Sequence, residues 1–185
     1  MAIDKVTSAA ITTDAVGPTQ LNEAANYDFT GTVTGAGESN LPYFSAWRTS
    51  NQTGISNDTQ TKLAMDNVLQ NGSDYSTSTY KFTPQTAGKY FLYNVVHIVS
   101  LDYTLVAAAA NIKKNGSLVA PAGTSISTEG MSERFRQLST TTSVIGTANG
   151  STDYFEFYFN LQISSGSNYY LGTGSTTGGF LLSTT

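Results

Sequence analysis

Three Asn-Gly pairs punctuate this sequence, at Asn71, Asn115 and Asn149, and each lies between two apolar runs. Asn-Gly is favoured in two-residue β-hairpins because both central residues of a type I′ turn need positive φ. A chain that turns back at three such points pairs its neighbouring strands in the antiparallel sense. The sequence therefore predicts an antiparallel all-β fold.

Strand signals recur from residue 43 to the end of the chain, as short runs rich in β-branched and aromatic residues. The predicted strands cover residues 43–48, 61–69, 78–83, 89–99, 103–113, 117–120, 133–145, 154–163 and 179–183. This number of short strands is typical of a β-sandwich or jelly roll. The run LVAAAANI at 105–112 could form a helix on propensity, but its short length and the hairpin signal after it favour a strand.

The composition limits the classes of function. Charged residues make up only 12% of the 185 residues, the net charge is −4, and Lys113-Lys114 is the only pair of adjacent basic residues. Such a chain is not built to bind a phosphate backbone, so no nucleic-acid partner is predicted. No run approaches the roughly 20 apolar residues of a spanning helix, and the N-terminus lacks the apolar segment of a secretory signal. We therefore predict no membrane partner, and release by lysis or within a particle.

Residues 1–40 differ in composition from residues 41–185. They carry few aromatic residues and too few large apolar side chains to bury a core of their own. We expect an N-terminal arm (1–40) used for docking or assembly and ordered by its partners, followed by one β-domain (41–185). A leader that stays free in solution is the alternative on composition. With no cysteine in the chain, stability is expected from core burial and from association of subunits.

Two predicted strands carry more apolar and aromatic surface than one core requires. In 154–163 one face holds phenylalanine, leucine and isoleucine while the other presents tyrosines, and in 89–99 both faces are largely apolar. Tyrosine is enriched where subunits meet, and an apolar outer face favours cover by a neighbouring subunit. Cover by the arm of the same chain is the alternative. The residues predicted at the interface between subunits are Tyr90, Tyr93, His97, Tyr154 and Tyr158.

The order of aromatic residues and glycines resembles the complement C1q family of jelly-roll modules. The resemblance covers about residues 43–185 and rests on Phe44-Ser45-Ala46 with Arg48, on Tyr75, Phe82, Gly88, Tyr90 and Leu92, and on Gly179-Phe180-Leu181-Leu182. Members of this family and of the related tumour necrosis factor fold associate as tight trimers, so the resemblance implies a homotrimer. The collagen-like stalk of eukaryotic members, with glycine every third residue, is missing.

The N-terminal segment resembles a different group of proteins. The opening MAIDKVTSAAITTDAV, followed by FTGTVTGAG, is similar to the leaders of small bacteriophage structural proteins. This resemblance implies a virion protein, assembled in the cytoplasm of a host bacterium.

Catalytic and metal chemistry has little support in the sequence. His97 is the only histidine, and a packed mid-strand histidine is the simpler interpretation. The carboxylate pairs available for glycoside hydrolysis are 129/133 and 153/156, and the second pair is interpreted as solvated. The loop 51–58 offers one acidic residue, too few for calcium. We therefore predict a protein that is not an enzyme, with no catalytic, cofactor-binding or metal-binding residues.

The sequence-based hypothesis is a homotrimeric capsid decoration or cement protein of a phage virion, anchored by its arm to the major capsid protein. An arm of this length spans at most about 130 Å and has no heptads for a coiled-coil shaft, which favours the capsid over a fibre. The alternative is a receptor-binding module at a tail-fibre or tail tip, which binds host glycan through the loops 51–58 and 122–130. The aromatic residues predicted to stack on sugar rings are Trp47, Tyr169 and Tyr170.

Overall fold

The computed structural model describes residues 41–102, 104–127 and 136–184, apart from the side chains of residues 120–122. The chain divides into two units, Met1–Gly37 and Glu38–Thr185, and the described residues all lie in the second. The predicted arm therefore falls outside the described residues, and its role stays a prediction.

The described residues form strands joined by turns and contain no helix. The strands are β1 (Tyr43–Trp47), β2 (Thr61–Lys62), β3 (Asn67–Gln70), β4 (Tyr75–Ser76), β5 (Lys81–Phe82), β6 (Ala87–Ser100), β7 (Leu105–Lys114), β8 (Ser117–Ser127), β9 (Gln137–Asn149), β10 (Phe155–Ile163), β11 (Tyr169–Leu171) and β12 (Thr176–Thr184).

Two antiparallel sheets pack face to face. In the first, called sheet A, β9 pairs with one edge of β6, while β12 and β11 share the other edge; β1 and β3 follow outside β12. In the second, called sheet B, the order is β4-β5-β10-β7-β8, and β2 also pairs with β10. Every named pairing is antiparallel, so the predicted all-β antiparallel sandwich is confirmed.

The three Asn-Gly pairs differ in the turns that they make. Asn115 and Gly116 have φ of 50° and 82° and form the predicted two-residue hairpin between β7 and β8. At Asn71 and Asn149 only the following glycine has positive φ. The Asn149 Oδ1 instead accepts the backbone N–H groups of residues 151–153, which closes a longer loop. The two-residue turn and the antiparallel pairing of the flanking strands therefore hold at Asn115 alone; at Asn71 and Asn149 the chain passes from sheet A to sheet B, and the strands on either side do not pair with each other.

The core is dominated by aromatic rings from both sheets. Phe44 stacks on Tyr75 and Phe82 with ring centroids 4.9 and 4.4 Å apart, and Phe82 meets Tyr90 edge-on at 5.6 Å. The predicted inward face of residues 154–163 is confirmed, since Phe155, Phe157, Phe159, Leu161 and Ile163 are all buried. The run 105–112 lies in β7, so the helix alternative is wrong: β10 and β8 hold both of its edges in a sheet.

A buried amide ties the two sheets together. Asn94, fully buried on β6, donates to the carbonyl oxygens of Asn111 and Tyr158 in sheet B, at 3.1 and 2.9 Å. A hydrogen bond from a buried amide stabilises a fold modestly, but a buried amide without a partner is costly. This contact accounts for a polar residue in the middle of an otherwise apolar inward face.

Several strand bounds differ from the prediction. The predicted strand 61–69 is split into β2 and β3, and 78–83 contributes only β5, because Tyr80 has φ of 56° and turns the chain. The predicted 117–120 continues to Ser127 through Pro121. Proline is tolerated there because β8 is the edge strand of sheet B and is irregularly paired at this point.

Candidate functional site

A row of apolar side chains crosses the outer face of sheet A. Direct cross-strand partners place Ile145 beside Phe91, Phe91 beside Phe180, and Phe180 beside Tyr43, so the row spans β9, β6, β12 and β1. The Phe91 and Phe180 rings lie 5.5 Å apart, while Ile145 is 60% and Tyr43 38% exposed. These four residues are called the apolar row.

Two further apolar side chains flank the apolar row. Leu69 on β3 is 60% exposed, and Leu182 on β12 is 39% exposed. In the next row of the sheet, Tyr93 lies over Gly178, and its hydroxyl is 3.2 Å from the Ser45 Oγ. A contiguous apolar patch of this kind marks an interaction surface more often than a plain solvent face.

The other end of the same face holds a polar cleft. It encloses about 340 Å³ and is lined by Asn51, Val95, His97, Val99, Gln137, Ser139, Tyr170, Gly172, Thr173 and Gly174. The His97 Nδ1 lies 2.8 Å from the Ser139 Oγ, across the β6–β9 pair. This set of residues is called the polar cleft.

The outer face of sheet B has a different character, because its tyrosine rings are covered by lysines of the same chain. Lys81 lies 3.8 Å from the centre of the Tyr154 ring, and Lys113 lies 4.3 Å from that of Tyr158. Glu156 is buried between these rings. These residues form a charged surface on which the tyrosine rings already contact cations of the same chain.

Two lysines form ion pairs with the buried Glu156 carboxylate of this face. The Lys62 Nζ lies 2.5 Å and the Lys81 Nζ 3.8 Å from the Glu156 Oε1. Burial, and next the negative charge of Glu156, raise the pKa of the Tyr158 hydroxyl above its usual value, and Lys62 opposes them. Hydrogen bonds from Lys114 and Asn115 lower the pKa of the Asp153 carboxyl despite some desolvation.

The predicted interface residues do not lie on one surface. Tyr93 and His97 face outward on sheet A, whereas Tyr154 and Tyr158 face outward on sheet B, under lysines. The prediction that Tyr90 lies at the interface is wrong. Its side chain is fully buried in the core and its hydroxyl donates to the Thr86 carbonyl at 2.7 Å, so it offers no surface to a neighbouring subunit. One contact between subunits cannot use all five.

The predicted sugar-stacking residues are also separated. Trp47 is half-buried on the outer face of sheet A, opposite Thr176. Tyr170 lines the polar cleft, but Tyr169 packs against the core and donates its hydroxyl to the Ile55 carbonyl at 2.9 Å. Adjacent residues of a strand point to opposite faces, so only one of the two tyrosines reaches the cleft.

Of the two loops predicted to bind glycan, the structure describes one as a loop and places most of the other in a strand. Residues 122–127 belong to β8 and are not a loop, while 128–130 lie outside the described residues. The loop 51–58 is attached to the sheets, because Gln52 pairs with Leu171 and the Asn57 Oδ1 accepts the Ile163 N–H at 2.9 Å. Only Asn51 of that loop lines the polar cleft.

The sequence-based prediction missed most of the apolar row. The sequence places Ile145 in the predicted strand 133–145 and Phe180 in the predicted strand 179–183, but it indicates no surface role for either side chain. A signal existed, since β9 alternates exposed and buried residues along its whole length and Ile145 is an apolar residue on its exposed side. Strand partners were required to place it beside Phe91.

Across residues 41–102, 104–127 and 136–184, no group of three or more histidine, cysteine or acidic side chains is placed to hold a metal ion. Within the same residues, no helix is long and apolar enough to cross a membrane. The interpretation of Glu156 as solvated is wrong, because its side chain is buried and paired with Lys62; the Asp153 carboxylate is paired with Lys114. Glu129 and Glu133 lie outside the described residues.

No protein-family model matches this chain, and no curated protein matches it. Among solved structures, murine APRIL at pH 5.0 is similar over 76% of this chain and 98% of that chain, with 12% identity and a TM-score of 0.55. The globular domain of zebrafish complement 1qA protein matches over 78% of this chain and 98% of that chain, with 18% identity and a TM-score of 0.47. Eiger TNF from S. frugiperda matches over 78% and 95%, with 10% identity and a TM-score of 0.49.

The similarity to APRIL extends over most of both chains. Two antiparallel sheets without a helix in the described residues, together with that similarity, confirm the predicted C1q/TNF-like jelly-roll fold class. At 12% identity the similarity concerns the fold alone.

Proposed function

We propose that this protein is a non-enzymatic structural protein that works as a homotrimer joined through the outer face of sheet A. The observation that carries the proposal is the apolar row with its flanking Leu69 and Leu182, which together form an exposed apolar patch. The centre of a subunit interface is more apolar than the rest of a surface and is depleted in charge, as this patch is.

The trimeric state has support from the fold. Solved neighbours of this jelly roll belong to the C1q and TNF families, which are typically homotrimeric and non-enzymatic. The chain has no cysteine and so forms no disulfide. Association that buries the exposed apolar side chains is therefore the available source of additional stability.

The proposed place of work is a phage virion, with decoration or cementing of the capsid as the first choice. The support is the composition of residues 1–40 and their similarity to phage structural leaders. An arm of small and β-branched residues suits docking across neighbouring subunits of a shell better than forming a shaft.

Two measurements test this proposal. Sedimentation equilibrium of the full chain is expected to give a particle of three copies of the 19.6 kDa chain. Quantitative mass spectrometry of purified virions is expected to find hundreds of copies per particle. A monomer at micromolar concentration overturns the trimer, and absence from virions overturns the structural role.

A receptor-binding module at a tail tip is the second candidate function. The polar cleft favours it, because a neutral, aromatic-walled cleft is suited to a sugar. A few to tens of copies per virion would favour this candidate over the capsid role.

A further inference from the structure

We infer that the polar cleft binds one neutral sugar ring. This inference deepens the second candidate function, but sugar binding does not depend on the location of the protein within a particle. The cleft gathers residues from three strands and two loops: His97 from β6, Gln137 and Ser139 from β9, Tyr170 from β11, Asn51 from the loop after β1, and the turn 172–174 before β12.

The lining of the cleft is polar without carrying a fixed charge. Its side chains offer two amides, two aliphatic hydroxyls, one phenol and one imidazole, and none of the described residues that line it is acidic, a lysine or an arginine. Amides and hydroxyls both donate and accept hydrogen bonds, as sugar hydroxyls do. An anion or a cation would be desolvated there without a counter-charge, which is costly.

The cleft also has the apolar wall that a sugar ring requires. Val95 and Val99 face outward on β6, and Tyr170 lies directly across from Val99 on β11. The C–H face of a pyranose can pack on such a surface while its hydroxyls reach the polar rim. A volume of about 340 Å³ falls at the small end of ligand pockets, which agrees with one ring rather than a long chain.

The contacts around His97 are formed before any ligand binds. Its Nδ1 is held by the Ser139 Oγ at 2.8 Å, its backbone N–H donates to the Ser175 Oγ at 2.9 Å, and its carbonyl accepts the Gly172 N–H at 2.8 Å. A Cβ on Gly172 would lie 2.8 Å from the His97 Cδ2, so glycine lets the turn close against the imidazole. A site fixed in this way loses little side-chain freedom on binding.

The His97–Ser139 pair favours binding rather than catalysis. A nucleophilic serine needs a base that is in turn oriented by a third polar group, usually a carboxylate. Within the part of the chain that the structure describes, no acidic side chain lines the polar cleft, and the His97 Nδ1 is paired with a hydroxyl rather than a carboxylate. The pair is therefore interpreted as two positioned hydrogen-bonding groups.

Sugar binding is compatible with the proposed trimer. His97 is six residues beyond Phe91 on β6, a distance of about 20 Å in an extended strand. The apolar row and the polar cleft therefore occupy opposite ends of one face, and contact at the first does not require cover of the second.

The test uses the imidazole of His97 as a reporter, since the chain has one histidine. The full chain is titrated with D-glucose, D-galactose and N-acetyl-D-glucosamine up to about 50 mM while the imidazole signals are followed by 1H–13C NMR, which reaches the millimolar affinities expected of single sugars. N-acetylneuraminic acid and inorganic phosphate serve as anionic comparisons. A saturable shift with at least one neutral sugar is expected, with affinity for both anions at least 10-fold weaker.

Two variants distinguish the cleft from the rest of the face. Ser139→Phe fills the cleft and is expected to weaken binding at least 10-fold; Thr147→Phe places the same ring on the same exposed side of β9, away from the cleft, and is expected to bind as the parent does. The inference is overturned if no neutral sugar shifts the signals, if the anions bind equally well, or if Ser139→Phe binds normally. Copy number on virions is measured separately, so each proposal can fail alone.

Discussion

The outer faces of sheet A and sheet B differ in what covers their aromatic rings. Each sheet buries one face in the common core and leaves aromatic rings on the other. On sheet B the rings of Tyr154 and Tyr158 are covered by lysines of the same chain. On sheet A, no lysine among the described residues covers Phe91 or Phe180, and Ile145 beside them is 60% exposed.

This difference shows that aromatic content alone does not identify an interface. A tyrosine under a lysine is already satisfied within one chain and gains little from a partner. An uncovered apolar row gains roughly 25 cal/mol for each Å² that association removes from water. Sheet A is therefore the face expected to assemble, and sheet B the face expected to stabilise the single domain.

The largest expected effect is on assembly. Ile145→Asp places a carboxylate in the apolar row and is expected to weaken the trimer about 1000-fold, because an unpaired charge is costly to bury. Leu118→Asp is the matched control, since Leu118 is 54% exposed on the outer face of sheet B. Sedimentation velocity over a dilution series measures both. Dissociation by Leu118→Asp with an intact Ile145→Asp trimer would reverse the assignment of the two faces.

Alkaline pH is expected to destabilise the domain through its buried tyrosines. Burial raises the pKa of Tyr90 to about 12, and burial also raises that of Tyr75. An unfolded tyrosine ionises near pH 10, so stability is complete below that pH and falls as the pH rises toward 12. Each ring is expected to lose about 1.4 kcal/mol at pH 11. Urea unfolding at pH 8 to 11 measures this, and Tyr90→Phe is expected to reduce the loss.

Removal of Glu156 tests whether sheet B stabilises the single domain. Its carboxylate is buried, but its lysine partners are partly exposed, so Glu156→Ala is expected to cost about 2 kcal/mol of unfolding free energy. Urea denaturation gives the change, and a double-mutant cycle with Lys62→Met isolates the ion pair. Sedimentation is expected to stay unchanged. A loss of trimer with no loss of domain stability would contradict the division of roles between the faces.

The smallest expected effect concerns one lysine of sheet B. Lys81→Met removes an ammonium that lies 3.8 Å from the centre of the Tyr154 ring and 3.8 Å from the Glu156 Oε1, and because both groups are partly exposed it is expected to cost about 0.5–1 kcal/mol. Lys89→Met, at an exposed lysine of sheet A, is the control and is expected to cost less. Thermal unfolding of both variants gives the comparison, and equal costs would show that the ring contact adds nothing.

Residues with a strong local signal could be placed from the sequence. The period of two in residues 154–163 predicted the five inward side chains of β10 correctly, and Asn115-Gly116 predicted its hairpin. The polar cleft could not be predicted in the same way. Its residues come from positions 51 to 174, and nothing local relates Asn51 to Ser139 or Tyr170.

By itself, the sequence determined the antiparallel fold class and which side chains of each long strand share a face, because alternation and turn chemistry act over a few residues. Only the tertiary structure decided which sheet each strand joins. Tyr93 and Tyr158 looked equivalent along the chain, yet β6 and β10 lie in different sheets, so the two rings face opposite sides of the domain. The reason is that alternation specifies a side of a strand, whereas long-range pairing specifies what that side meets.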